Sequence, residues 1–465
     1  MQDRLTIISS LSPHVHVLAT QPNSMSDSTR VESQPGRTRC AVASTSLPAG
    51  TALTQFSGEP YAACLLRPQW PQRCAHCFRP AEGERQLLRC SRCRHARYCN
   101  AACQAADWKW HKHECPSLPG LDRVAAAAVA DLLLAARCLR RKHVEPTSPA
   151  TESFDQMVRG EPREGDAELG QLAASMTGLL PPGTTASDVA SLFATFRCNN
   201  FGVLDPLLAV VGAACHPAAA LLNHSCAPNC VLAYRGKTLE IRTLRAVAAD
   251  EELCHSYTEL CQPTAVRQQL IRDSYGFACR CSRCEDGLVY EESPDDSMPV
   301  DDVMEGAKDD RSASGDVERA RALLRQAEPE EDLAKEAELV FEALELLRGA
   351  CHHGSLVRYG AEGQALGVAL AGGDLERARE CCVNAVRFLE MALSHCPRHP
   401  LLALQRFTLA DLHEACGDTL GAATTMAACA EALKVTHGRG DELAERAIAR
   451  LAELSATAYG FSVSL

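Results

Sequence analysis

No stretch of this 465-residue chain reaches the roughly 18 apolar residues that a bilayer span requires. The nearest approach, VAAAAVADLLLAARCLRRK, is interrupted by Asp131 and Arg137. It ends in Arg140, Arg141 and Lys142, as a soluble helix does, and no membrane is expected as a partner. A basic excess is also missing. The 47 Lys and Arg face 59 Asp and Glu, and a net charge of −12 excludes a protein coated in positive surface for nucleic acid. A clean secretory h-region is lacking too, because Pro13, His14 and His16 break LTIISSLSPHVHVLA. Residues 1–30 are expected to form a disordered leader.

What the chain has in excess is cysteine, 25 in all. A chain this long is no small disulfide scaffold, and many of the cysteines stand in C-x2-C pairs, the spacing that metals use. That pattern points to structural zinc in a reducing compartment, with the remaining cysteines buried as small hydrophobes.

Residues 74–115 carry Cys74-x2-Cys77, Cys90-x2-Cys93, Cys99-x3-Cys103 and His111-x3-Cys115. Eight such ligands suffice for two four-coordinate zinc ions, and the i,i+4 spacing of the last two pairs suits one face of a helix. Four protein ligands leave no position for water, so these sites are structural. Spacing alone leaves open whether the pairs bind in order or interleave.

Further on, Cys279, Cys281 and Cys284 form C-x-C-x2-C, one ligand short of a closed site. Cys226 of LLNHSCAPNC is a candidate fourth. Between these motifs VLAYRGKTLEIRTL alternates as a hairpin around Arg235, Gly236 and Lys237. The stretch 145–166 reads as a loop within an otherwise helical region. Residues 285–310 hold eleven acids and one lysine, the composition of a solvated mobile linker. From Val317 the chain is rich in Ala and Leu, and Gly-Asp pairs at 373 and 417 mark a 44-residue period of stacked helix–turn–helix repeats.

Two resemblances extend this reading. YCNAACQAADWKWHKHEC resembles the second half of a MYND finger, with Tyr98, Gln104, Asp107 and Trp108 in their usual places. That family interleaves its pairs, which implies one zinc on Cys74, Cys77, Cys99 and Cys103, and another on Cys90, Cys93, His111 and Cys115. It also implies a proline-containing peptide as a partner of the finger. LLNHSCAPNC, then EELCHSYTEL, then C-x-C-x2-C resembles the ordered signature of SET and post-SET segments. With the finger, the chain resembles the SMYD family of protein-lysine methyltransferases, strongly over residues 35–285 and more loosely beyond.

The resemblance implies an α+β, multidomain fold. Residues 31–70 and 197–262 would form a β-rich SET core, interrupted by the finger at 74–115 and a helical insert at 119–196. A zinc-binding post-SET segment at 263–285, an acidic linker at 286–316 and an all-α tetratricopeptide-like region at 317–465 would follow. The core is expected to fold without that last region, which would cover one side of the substrate cleft.

Family roles fall on matching positions. Asn199, Asn223 and His224 would contact S-adenosyl-L-methionine, with Phe277 against its adenine and Arg37, Thr38 and Arg39 also alongside. Tyr257 would stand between methyl donor and substrate lysine, touching the cofactor and acting as the catalytic residue. Phe201 and Tyr275 would wall the lysine channel. Cys226, Cys279, Cys281 and Cys284 would bind a third zinc. One departure stands out: Thr38 and Cys40 occupy the places of two family glycines that approach the cofactor through backbone.

The implied activity is methyl transfer from S-adenosyl-L-methionine to lysine of a histone or non-histone protein, by a monomer of nucleus and cytoplasm. Such a displacement needs a neutral amine aligned about 3 Å from the methyl group. The alternative is a catalytically weak or inactive MYND and helical-repeat adaptor, favoured by Thr38 and Cys40 and opposed by Asn223, His224 and Tyr257. Direct DNA binding would need a recognition helix with several base-reading side chains, and none stands outside the finger.

Overall fold

The computed structural model describes residues 28–459, apart from 35–36, 82–85, 161–162, 177, 294–295, 300–303 and 305–310. The expected leader therefore lies outside the described residues except at Ser28–Arg30. Among the described residues no helix is long and apolar enough to cross a membrane.

Strands dominate the part that carries the NHSC motif. Thr29–Gln34 pairs antiparallel with Arg37–Ala43, and a three-stranded antiparallel sheet runs in the order Ala62–Leu65, Val210–Cys215, Asn200–Leu204. The hairpin expected at Arg235–Lys237 joins Cys230–Arg235 to Thr238–Thr243, and its second strand alternates buried and half-buried residues. Leu53, Phe56, Phe78, Leu222, Leu239 and Ile241 fill the core between these strands. A short parallel pair sets Asn223 beside Cys254 and His224 beside His255. Parallel neighbours need a long connection. Here it is the hairpin and the turns after it, which bring two distant motifs side by side.

The cysteine-rich segment folds around helix Ala101–Glu114, whose N-cap Asn100 accepts a hydrogen bond from the Cys103 N–H. It seats on the hairpin turn. Gly236 has φ of +65°, and a Cβ there would lie 2.2 Å from the Cys77 carbonyl oxygen, so only glycine fits. Helices Ala126–Val144, Asp166–Ser175 and Ala186–Asn199 follow. The stretch read as a loop at 145–166 also contains a helix, Pro149–Asp155. Its proline stands at the first helical position, and the Ser148 side chain accepts from the Thr151 N–H.

Part of the acidic stretch is paired: Val289–Ser293 and Asp296–Pro299 form a short antiparallel ladder. Of the expected linker at 286–316, residues 294–295, 300–303 and 305–310 lie outside the described residues, while 311–316 belong to helix Arg311–Ala327 and so depart from the expectation. Then come helices Arg311–Ala327, Leu333–Ala350, Leu356–Gly372, Leu375–Ala392, Pro400–Ala415, Thr419–Thr436 and Glu442–Tyr459, each packed against the next. The Gly-Asp pairs are equivalent in structure. Gly373 and Gly417 take φ of +74° and +83°, and Asp374 and Asp418 cap the helices that follow.

This helical region is not independent of the rest. Cys226, Leu260 and Cys279 belong to the same buried cluster as Leu347, Phe388, Leu389 and Leu393. The strands keep a core of their own around Leu53, Phe56 and Ile241, and it is the segments carrying Cys226 and Cys279 that share a core with the helices. Arg242 Nε donates to the Val435 carbonyl at 3.1 Å, and Arg235 Nη2 to that of His437 at 3.3 Å.

Candidate functional site

Twelve potential metal ligands converge in three groups. They are Cys74, Cys77, Cys99, Cys103; Cys90, Cys93, His111, Cys115; and Cys226, Cys279, Cys281, Cys284, with the ligand atoms of each group within 4.8 Å of one another. A tetrahedral ion with Zn–S bonds of about 2.3 Å puts sulfurs about 3.8 Å apart. The Cys77–Cys99 and Cys90–Cys115 sulfurs lie 3.6 and 3.9 Å apart, and His111 Nε2 lies 3.3 Å from Cys90 and 3.6 Å from Cys93. These are edges of an ion-sized tetrahedron, and the donor sets suit zinc.

The third group has a further mark of charge. Arg267 is fully buried, its guanidinium donates to the Gln262 carbonyl and the Thr264 hydroxyl, and its charge favours the thiolate form of Cys226. Arg283, 3% exposed, stands between the ligands Cys281 and Cys284. Zinc with four thiolates would carry a formal charge of −2, which the buried Arg267 would partly offset.

Beside this group runs a chain of ring contacts. Phe201 meets His255 at 5.8 Å between centroids, His255 meets Tyr257 at 4.9 Å, and Tyr257 meets Tyr275 at 4.7 Å. Tyr275 meets Phe277 at 6.5 Å, and His224 lies 5.3 Å from Tyr257 and 6.3 Å from Phe277. Five residues singled out from the sequence (Phe201, His224, Tyr257, Tyr275 and Phe277) thus share one wall. Tyr257 is fixed at both ends: its hydroxyl donates to the Leu222 carbonyl at 2.8 Å and its N–H to His224 Nδ1 at 2.9 Å.

The remaining residues form the adjoining face. Asn223 Nδ2 donates to the Arg39 carbonyl at 3.0 Å and to Glu252 Oε1 at 2.7 Å. Arg39 reaches the Gln156 carbonyl, and Asn199 Nδ2 donates to the carbonyls of Val158 and Thr195, each at 2.7 Å. Asn199 and Arg39 thus both secure the segment after helix Pro149–Asp155, and the amide of Asn199 is engaged within the protein. The side chains of Arg37 and Thr38 lie outside the described residues.

Burial sets the protonation states. It raises the phenol pKa of Tyr257 and of Tyr275 above the usual tyrosine range. It lowers His255 to about 4 and His216, in edge contact with Phe201, likewise to about 4. At neutral pH Tyr257 and Tyr275 are therefore intact phenols, and His255 and His216 are uncharged. No strong base stands in the wall.

Sequence reasoning passed over His255, Glu252 and the buried Arg267. For His255 a signal existed, a histidine two residues before Tyr257 in ELCHSYTEL. Arg267 gave none, since an arginine in a polar helix reads as exposed.

The chain was also compared with known proteins. The MYND finger family model matches residues 74–115. The chain is 32% identical over 266 residues to N-lysine methyltransferase SMYD2-B of Xenopus laevis, covering 54% of this chain and 59% of that protein. It is 32% identical to N-lysine methyltransferase SMYD2 of Mus musculus over 243 residues and of Homo sapiens over 245, each covering 49% of this chain and 54% of the relative. The matches thus span little more than half the length of these relatives. Finger and relatives together show a chain similar to proteins named SMYD2 over about half its length.

Proposed function

We propose that this chain is a protein-lysine N-methyltransferase, moving a methyl group from S-adenosyl-L-methionine to the ε-amine of a lysine in a histone or non-histone protein. The observation that carries this reading is the ring wall from Phe201 to Phe277, with Tyr257 clamped at its middle. The names of the relatives favour the same chemistry.

The residues fit the cofactor. Phe277 is 39% exposed beside His224, an unburied aromatic face suited to a purine, and Asn223 is held in place by Arg39 and Glu252. When bound, S-adenosylmethionine supplies an electrophilic methyl group on a sulfonium. Phe201, His255, Tyr257 and Tyr275 would enclose the lysine side chain. At pH 7 a free lysine is neutral in only about one molecule in 2,500. An uncharged aromatic wall disfavours the ammonium by desolvation. Tyr257, whose hydroxyl proton is directed to Leu222, keeps oxygen lone pairs for an amine N–H; its role is orientation and not proton abstraction.

In this reading the strand-rich part is a SET core and the C-terminal helices are tetratricopeptide-like. Three zinc ions are structural, and a proline-containing peptide is a partner for the finger. The protein would act as a monomer in nucleus and cytoplasm, a reducing setting in keeping with cysteines gathered in metal-type groups. The test is incubation of the purified chain with cell-extract proteins and isotopically labelled S-adenosylmethionine, followed by mass spectrometry. Label on lysine is expected, and it should fall about tenfold or more in Tyr257→Phe. Calorimetric cofactor binding without transfer would instead establish an adaptor.

A further inference from the structure

We propose that His224 is a positioning residue that ties the geometry of the third metal group to Tyr257. The inference goes beyond the methyltransferase reading and rests on it only where turnover is measured.

The hydrogen bonds fix the tautomer of His224. The Tyr257 backbone N–H can only donate, so Nδ1 of His224, 2.9 Å away, carries the lone pair. In the neutral ring the proton is then on Nε2, which lies 3.2 Å from Cys226 Sγ. A metal-bound thiolate is the stronger acceptor for that N–H. His224 is 4% exposed and Cys226 is fully buried, so no bulk water competes for either bond.

The clamp on Tyr257 comes from one short segment. Leu222 accepts its hydroxyl and His224 accepts its N–H, while two residues further on Cys226 is drawn toward Cys279, Cys281 and Cys284. Residues 222–226 would thus be anchored at one end through Cys226 in the third metal group, and they hold the tyrosine at both of its polar ends. Each ring nitrogen of His224 is occupied, which leaves only its ring face or backbone for any cofactor contact. A metal group built solely for stability needs no such bond to the residue beside the reacting centre.

The link is tested with the full chain loaded with cadmium-113 in place of zinc and labelled with 15N-tyrosine. The Tyr257 amide signal is assigned by its absence in Tyr257→Phe. His224→Phe keeps a ring but loses both hydrogen bonds. It should move the cadmium resonance of the third group alone, shift the Tyr257 amide, and lower kcat about tenfold with KM for S-adenosylmethionine nearly unchanged. His224→Gln, whose amide can accept and donate, should restore part of all three. Cys77→Ser, in the finger, should alter a finger resonance and leave the Tyr257 amide in place.

If neither the third resonance nor the Tyr257 amide moves in His224→Phe, the link does not exist. If both move while the wild type transfers no methyl group, the link stands and the methyltransferase reading fails. Should His224→Phe not melt cooperatively, His224→Gln decides: an amide and a third resonance both displaced from wild type, with the finger resonances unchanged, support the link, and all signals as in wild type overturn it.

Discussion

Arg137 and Glu114 meet in a buried two-point ion pair, Nε to Oε1 at 2.6 Å and Nη2 to Oε2 at 2.8 Å. The same guanidinium donates to the Ala63 carbonyl at 2.7 Å and lies 3.7 Å from Asp107, which accepts from the Tyr98 hydroxyl. One side chain thus fastens the finger helix to helix Ala126–Val144 and to the central sheet. Removing one partner of a buried pair leaves an uncompensated charge, at about 3–5 kcal/mol. Glu114→Ala should lose that much in urea unfolding. Glu114→Leu combined with Arg137→Met and Asp107→Asn should lose less, since no charge is then left stranded and the amide oxygen introduced by Asp107→Asn can still accept from Tyr98. Equal losses in both would show that the pair matters only through packing.

Elemental analysis of protein purified without chelators should return three zinc ions per chain. The expectation follows from twelve ligands in three groups of four. Two ions or fewer would remove the third group from consideration. Cys226→Ala and Cys281→Ala should each lose the same single ion, whereas Cys93→Ala should lose a different one.

Much of this was legible from local spacing, because a C-x2-C pair or a helical i,i+4 pair already places two ligands on one ion. The hairpin was legible for the same reason: VLAYRGKTLEIRTL alternates, and Gly236 marks its turn. What escaped was long range. Arg137 reads as an interruption of an apolar helix until Glu114, 23 residues away, is placed beside it. The packing of Phe388 into the same core as Cys226 and Cys279 has no sequence signature, since Phe388 lies in an ordinary helical run. Helix Pro149–Asp155 was hidden because its Pro, Thr and Ser read as a loop, although Ser148 and Pro149 are also a helix start.

Tyr257→Phe should reduce turnover about tenfold or more while calorimetric affinity for S-adenosylmethionine changes little. The substitution leaves the ring contacts to His224, His255 and Tyr275 and removes only the hydroxyl. The Leu222 carbonyl then loses its donor, about 1–3 kcal/mol for a buried acceptor, and the amine loses an orienting oxygen. Normal methylation by this variant would reassign the role of Tyr257.

Stability should fall as pH drops from about 6.5 toward 4. Burial lowers His216, His255 and His399 each to about 4, against about 6.5 for an unfolded histidine. The folded state therefore refuses protons that the unfolded state accepts in this window. Their contribution is complete above pH 6.5 and is lost on descent, by up to about 1.4 kcal/mol per pH unit for each residue. His216 isolates the effect, since its buried Nε2 has no hydrogen-bond partner among the described residues. His216→Phe should flatten the slope of urea stability against pH by one proton. An unchanged slope would mean that His216 titrates normally in the folded chain.

Deleting residues 317–465 should abolish the third metal group while sparing both groups in the finger. The ligand Cys279 and its neighbour Leu260 pack in the cluster that Leu347, Phe388 and Leu393 complete, so truncation exposes apolar surface directly beside the ligands. Arg283 loses its anchor as well, for its Nη2 donates to the Ala392 carbonyl and its Nη1 meets His395 Nε2 at 3.3 Å. A buried cation without those partners pulls the Cys281–Cys284 turn toward water. Arg242→Ala provides the comparison at the far edge of the interface, since it removes the contact to Val435, with those to Gly50 and Glu240, and touches no residue beside the third metal group. That variant should keep three ions and show faster hydrogen exchange confined to Thr238–Thr243 and the end of helix Thr419–Thr436. A truncated chain that retains three ions and melts at the full-length temperature would show that the strand-rich part needs no support from the helices.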